Sequence, residues 1–278
     1  MTNLQIGKTR GKNVFAYCMA FVLLFMLLLP PFWMVMTSLK SGRDVFSIPP
    51  KFLFVPTMEN FKTILFADRF SSIFLNTIIV SVAATILAEV FGSMAAYSIA
   101  RYKTGGKPVL YGTLIMRVLP PIVLGLPLFI MFSKVHLIDT IQGLILAYVG
   151  FLLPNTIWLL ISFFGGIPRS IEEAATIDGC SNFQSFLLVS LPLARSGIIV
   201  TLVYNLTGAW NHFFYALTLA PTKIRLLSVE ASQYVGEYAV RWGQVAAIAT
   251  ILVLVPAIMT FFAQNYLVSG LSLGGVKG

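Results

Sequence analysis

The sequence predicts an all-α integral membrane protein with six transmembrane helices. Composition points there first: 58% of the 278 residues are hydrophobic, only 10% are charged, and the mean hydropathy is +0.87. A soluble domain of this length carries about 25% charged residues. The second observation is the arrangement of the apolar residues. They form six long runs, each exceeding the ~20 residues needed to cross hydrocarbon as helix. A closed barrel would instead show alternating segments of ~10 residues, and none is found.

The first run, roughly 14–37, carries no charge. Lys8, Arg10 and Lys12 precede it, as in a signal peptide, but its apolar core exceeds the ~7–15 residues of a signal sequence. No small-residue cleavage site follows, so it reads as a retained anchor. The second run, roughly 74–100, is interrupted by Glu89, and the third, roughly 109–132, by Arg117. The fourth is roughly 141–164, the fifth roughly 196–220 and the sixth roughly 245–268. With no internal repeat, low-complexity tract or aqueous domain, the chain reads as one membrane domain over 1–278.

Charge sets the expected orientation. The N-terminal tail (Lys8, Arg10, Lys12) and the loop after the second run (Arg101, Lys103, Lys107) are short and purely basic, the mark of cytoplasmic loops. The opposite loops carry acids: Asp44, Glu59, Asp68, Asp139, Glu230 and Glu237. Both termini are therefore expected in the cytoplasm. The longest outer segment, 38–73, contains Pro49-Pro50 and Pro56 and should be irregular; the last should be helical around 229–238. The net charge of +9 reads as flanking charge for headgroups. Nucleic-acid binding would need a basic patch on an aqueous domain. Cys18 and Cys180 fall too far apart for a bridge, and no Cys/His cluster suggests a metal.

One polar stretch, roughly 168–192, cannot lie in hydrocarbon. Ser170 and Glu173 have the spacing of a capping box, and Ser181 and Gln184 repeat it. Gly179 suits the left-handed position that closes a helix, and Leu191-Pro192 interrupts the backbone ladder. Two short helices around a glycine bend are expected. Asp178, at a helix C-terminus disfavoured for an anion, should find a cationic or donor partner. By these features alone the stretch is either a docking element or an ordinary interfacial loop with two caps.

This stretch resembles the cytoplasmic EAA loop of ABC-importer permeases, whose pattern is E-A-A-x3-G-x9-I-x-L-P. Glu173, Ala174, Ala175, Gly179, Leu191 and Pro192 fall on it, and Val189 stands where isoleucine is usual. Ser38-Leu39-Lys40, Ile48-Pro49-Pro50, Glu59-Asn60-Phe61, Ala96-Tyr97 with Ala100-Arg101, Leu119-Pro120-Pro121, Ala209-Trp210-Asn211 and the glycine-rich tail 270–278 are similar to the carbohydrate-uptake branch, the maltose-system second-permease type. His212 departs from it, since an acid commonly follows Trp-Asn there.

The resemblance implies a permease with six spans and a cytoplasmic two-helix coupling loop. Its partners would be a second permease subunit, two cytoplasmic ATP-binding subunits and an extracytoplasmic solute-binding protein, in a bacterial plasma membrane. Glu172, Glu173, Ala174, Ala175, Asp178, Gly179, Leu191 and Pro192 would form the ATPase-coupling surface, the glutamate pairing with basic groups there. The substrate would be a sugar or derivative: a disaccharide or oligosaccharide, a polyol or a glycerol phosphodiester. The chain itself has no phosphate loop; Gly105-Gly106-Lys107 reads as a basic turn before Pro108. ATP and magnesium are thus expected on partner subunits, with no cofactor bound here.

Polar residues within the runs are candidate pathway residues: Arg117, Asn155 and Asn211. Arg117 could instead snorkel to the headgroups or pair with Glu89, and Asn155 could satisfy a carbonyl freed by Pro154. A permease for another solute class shares the coupling motif. A secondary transporter would carry inverted repeats, and a membrane enzyme a cluster of acids, His or Cys; neither pattern is seen.

Overall fold

Hydrocarbon offers no partner to a free amide or carbonyl, so a spanning chain must satisfy its backbone internally. The protein does so with helices. The computed structural model describes residues 3–236 and 240–275, with side chains from 14 to 236 and 240 to 264. In chain order the helices are α1 (Asn3–Ser38), α2 (Gly42–Val45), α3 (Glu59–Leu65), α4 (Phe70–Tyr102), α5 (Gly106–Val118), α6 (Pro121–Lys134) and α7 (Ile141–Gly166). There follow α8 (Arg169–Ile177), α9 (Asn182–Ser185), a π turn over Phe186–Ser190, α10 (Leu191–Leu193), α11 (Arg195–Trp210), α12 (Phe214–Leu219), α13 (Leu227–Gln233) and α14 (Trp242–Gly275). Among the described residues there is no strand, only an isolated bridge between Val235 and Val240. The last outer segment, expected helical around 229–238, is helical at α13 but not over 234–236; Glu237 and Tyr238 lie outside the described residues, as does the end of the tail.

Among the described residues four helices are long and apolar enough to cross a membrane: α1 over Val14–Ser38, α4, α7, and α14 over Trp242–Gln264. Two bent pairs raise the number to as many as six. The first of these pairs, and the early end of α11, correct the uninterrupted spans read from the sequence. The third run breaks between α5 and α6, which meet at 100°. Each proline disfavours helical backbone in the residue before it. Leu119 and Pro120 are accordingly extended, with ψ of 123° and 136°, and Pro121 then starts α6 at the position that tolerates it. The fifth run ends early. Asn211 closes α11 at Trp210, and its side-chain amide donates to the Thr207 carbonyl at 3.0 Å. The next carbonyl, of His212, is claimed by the hydroxyls of Tyr148 (2.8 Å) and Ser228 (3.0 Å), so the ladder does not continue.

The chain divides into two compact units: 1–67 with 231–251, and 68–230 with 252–278. In the first, α1 exposes large apolar side chains all round, the state of a helix whose solvent is lipid. Asn60 of α3 anchors the end of α1, its amide donating to the carbonyls of Ser38 (2.9 Å) and Lys40 (2.8 Å).

In the second unit α4 packs along α7. Small residues of α4 (Ala84, Ala88, Gly92) allow the approach. A Cβ on Gly92 would stand 2.6 Å from the Thr156 methyl. Val80, Leu144, Tyr148, Leu152, Tyr215 and Leu219 fill the core beside them.

Glu89 is buried where α4, α7 and α11 meet. The Thr201 hydroxyl donates to one carboxyl oxygen, and the Asn205 amide donates to the other at 3.4 Å and to the Thr156 hydroxyl at 2.7 Å. The pairing of Glu89 with Arg117 allowed by the sequence is not made. Arg117 is exposed on the last turn of α5, whereas α11 carries neutral donors to the carboxyl.

Asp139, in the loop before α7, clasps the segment after α12. It accepts the amides of Thr222 (2.9 Å) and Lys223 (3.0 Å) and the Thr222 hydroxyl (2.8 Å). Burial raises its pKa, but these donors outweigh burial and leave it below the usual carboxylate value.

Asn205→Ala leaves Glu89 and Thr156 short of a donor. It should destabilise the protein by about 1–3 kcal/mol, seen as a lower unfolding midpoint in detergent; an unchanged midpoint would refute the role given to this cluster. For Asp139 the carboxyl is held ionised in the folded state, so its stabilisation is full above its unfolded pKa and fades as pH falls through the folded value. The stability difference between wild type and Asp139→Asn should be flat above about pH 5 and shrink below about pH 4; a difference that grows on acidification would contradict the clasp.

Candidate functional site

The polar segment between α7 and α11 is built by its caps. Pro168, with φ −57° and extended ψ, takes the N-cap of α8 and no side chain caps it. The expected Ser170–Glu173 capping box is therefore absent. Proline's preset φ starts the helix at Arg169, which leaves Ser170 already inside the first turn. The other end follows expectation. Gly179 has φ +90°, its amide donates to the Thr176 carbonyl (3.1 Å), and the Cys180 amide donates to that of Ala175 (2.9 Å). This paired closure needs the left-handed residue that glycine supplies without strain.

The second capping box forms: the Gln184 amide donates to the Ser181 hydroxyl (3.3 Å), and the Ser181 amide to the Gln184 side chain (2.8 Å). After α9 the chain widens into the π turn. Pro192 does not end the second helix; it sits in the first turn of α10, and the bend of 78° falls before α11, at Ala194. Behind the segment, Phe186 packs on Tyr97 of α4 (ring centroids 5.0 Å), which packs on Phe164 of α7 (5.5 Å).

The two glutamates have different fates. Glu172 is turned inward: Arg101 Nε, at the end of α4, lies 2.9 and 2.8 Å from its two oxygens, and the Ser190 hydroxyl donates to it. A second guanidinium nitrogen of Arg101 donates to the Ile167 carbonyl at 2.9 Å. Both side chains are nearly buried, 6% and 13% exposed. One carboxylate thus joins α4, the end of α7, α8 and the π turn. Arg101 and Ser190 are functional candidates missed in the sequence. Arg101 stood out as a loop charge and within the Ala96-Tyr97, Ala100-Arg101 resemblance, but no local pattern links it to a position 71 away.

Glu173, Ala174, Asp178 and Gly179 are exposed, and Ala175 is the buried residue of α8. Ile177 beside them is 87% exposed. The carboxylates of Glu173 and Asp178 meet no partner among the described residues, so the partner expected for Asp178 is not within them. Leu191 and Pro192 line a cavity of about 410 Å³ with Glu89, Ser93 and Arg195.

Of the candidate pathway residues, two border separate cavities that share Thr260. Asn155 of α7 borders a cavity of about 390 Å³ with Phe151, Tyr204, Thr207 and Thr260. Asn211 borders one of about 580 Å³ with Pro256, Phe261, Gln264 and again Thr260. Arg117 lines neither. His212 is buried against the rings of Tyr148, Phe151 and Tyr215.

Residues 88–272 match the family described as "Binding-protein-dependent transport system inner membrane component". The chain belongs to this family, and is thereby a multi-pass membrane subunit with a transport rather than an enzymatic role. Among its relatives is the trehalose transport system permease protein of Mycobacterium tuberculosis, 35% identical over 258 residues, 90% of this chain and 93% of the relative. The sulfoquinovosyl glycerol transport system permease protein of Agrobacterium fabrum is 32% identical over 263 residues, 93% and 92% of the two chains. The fold is similar to that in the crystal structure of a bacterial ABC transporter involved in the import of alginate, with a TM-score of 0.74 and 20% identity over 93% of this chain and 97% of that one.

If Arg101 and Glu172 act as one brace, Arg101→Ala, Glu172→Ala and the double variant should be non-additive in stability by about 0.5–3 kcal/mol. Thermal unfolding of the four proteins measures this, and strict additivity would mean that the contact carries no energy of its own.

Proposed function

We propose that this chain is a permease subunit of an ATP-driven importer that moves a sugar or sugar derivative from the cell exterior or periplasm into the cytoplasm of a bacterium. The carbohydrate class rests on the trehalose and sulfoquinovosyl glycerol relatives at above 30% identity over nearly the whole chain. The coupling role rests on the division of labour within α8. Glu172 is pinned inward by Arg101 and Ser190, while Glu173, Ala174, Ile177 and Asp178 stand outward with acidic and apolar groups uncovered.

Such a surface fits a cleft on a cytoplasmic ATP-binding subunit that presents basic and apolar groups. Two of these subunits, holding ATP and magnesium, a second permease and an extracytoplasmic binding protein complete the assembly. The chain itself binds no cofactor and lies in the plasma membrane with both termini cytoplasmic. The basic loop after α4 supports this sidedness, because Arg101 joins it to the coupling segment. ATP binding closes the ATPase dimer, carries α8 with it, and through the brace moves α4 and α7. A shift follows only because the partner binds the two states unequally. Asn155, Asn211 and Thr260 are the residues proposed to border the solute's path.

Glu173→Lys reverses an outward charge, and Gly179→Asp places a side chain on a left-handed position. Both should insert normally yet uncouple sugar uptake from ATP hydrolysis and weaken co-purification of the ATPase. Normal uptake with normal co-purification in both variants would sink the coupling assignment.

A further inference from the structure

Lys40, two residues beyond the end of α1, is only 2% exposed. Its backbone is fixed, the amide donating to the Thr37 carbonyl at 3.2 Å and the carbonyl accepting from Asn60. Its ammonium stands over two rings, 4.6 Å from the centre of Trp33 and 5.4 Å from that of Phe54. Among the described residues no carboxylate is within ion-pair distance of it. Asp44 lines the same pocket but is already taken by Lys51 (2.7 Å) and the Ser41 hydroxyl (2.9 Å). Buried ammonium groups are rarely left without an anion, and ring faces supply only part of what water gave.

The pocket beside Lys40 has a volume of about 460 Å³ and lies between the last turns of α1 and the first two turns of α14. Its walls change character along the helices. Trp33, Met34, Ala246 and Ala249 line it toward the spans, and Lys40 and Asp44 line it where the spans end. Trp33 and Trp242 flank it at the level that such rings favour, the boundary of headgroup and hydrocarbon. The start of α14 adds the positive end of a helix dipole. Asp44, whose oxygens are held by Lys51 and Ser41, also feels the charge of Lys40, and the three charged groups together leave one positive charge in excess.

We propose that this pocket holds a membrane phospholipid, its phosphodiester paired with Lys40 and the top of an acyl chain laid along the α1–α14 walls. An anion is needed to answer the ammonium, and an apolar tail to fill the lower half. Neither free phosphate nor a sugar supplies both. The site uses residues apart from the coupling surface, so it stands or falls separately from the sugar reading.

The test is native mass spectrometry of the full chain, extracted in detergent with the subunits that co-purify, delipidated and titrated with phosphatidylglycerol. Wild type and Lys40→Arg should retain a single tightly held phospholipid, and Lys40→Met should hold it about tenfold more weakly, the loss of one charge-assisted contact. Ala249→Phe, which narrows the apolar wall without touching the ammonium, should also release it. Equal retention by wild type and Lys40→Met overturns the proposal. Displacement by inorganic phosphate, or by a transported sugar, overturns it in favour of a soluble ligand, and binding that disappears in the assembled complex assigns the pocket to a partner subunit instead. Should Lys40→Met fail to accumulate, undiminished lipid in Ala249→Phe is decisive against it.

Discussion

A single carboxylate organises the polar segment between α7 and α11. Glu172 receives a guanidinium from the end of α4 and a hydroxyl from the π turn, while the same guanidinium holds the carbonyl that ends α7. Charge-assisted contacts with several partners in a nearly buried place are the strong ones. They also define direction. A force on α8 reaches α4 and α7 through short bonds rather than through a flexible tether, so the outward face can meet a partner while the inward face transmits its displacement.

A second buried carboxyl, that of Glu89, shows the same economy of polar groups. Lipid gives no compensation for a stranded donor or acceptor, and each interior polar side chain therefore needs protein partners. Glu89 is met by Thr201 and Asn205, and Asn205 in turn meets Thr156. Three helices that share apolar surfaces of little individuality thereby acquire one register. Apolar packing against lipid or against another helix differs little in energy, so a handful of hydrogen bonds decides which faces meet.

The sequence makes the class of fold readable because hydrocarbon demands uninterrupted apolar length, a local property. The spans α1, α4, α7 and α14 appear close to where the runs lie. The breaks were less legible. The third run was read as one span through Leu119-Pro120-Pro121, and its 100° turn depends on those prolines and on how the next helix packs. The end of α11 depends on a carbonyl claimed by Tyr148 and Ser228, residues remote in sequence. The polar segment 168–192 was readable where chemistry is local, as at Gly179 and at the Ser181–Gln184 box, and misread at Ser170, where Pro168 pre-empted the cap. The Arg101–Glu172–Ser190 brace lay beyond reach because it joins distant positions with no spacing rule.

The π turn at Phe186–Ser190 has a consequence for phase. A π turn accommodates one residue more than the α-helix it interrupts, and each residue in an α-helix turns the following chain by about 100°. The extra residue brings Ser190 round to Glu172 while leaving Phe186 against Tyr97. It also sets the azimuth at which the chain leaves for α11, and hence the side from which Thr201 and Asn205 face Glu89. Losing that one residue would barely alter composition or hydropathy, yet it would swing the direction in which α11 leaves the 78° bend. In this chain, a count of residues in a single turn ties the aqueous loop to the polar centre of the membrane domain.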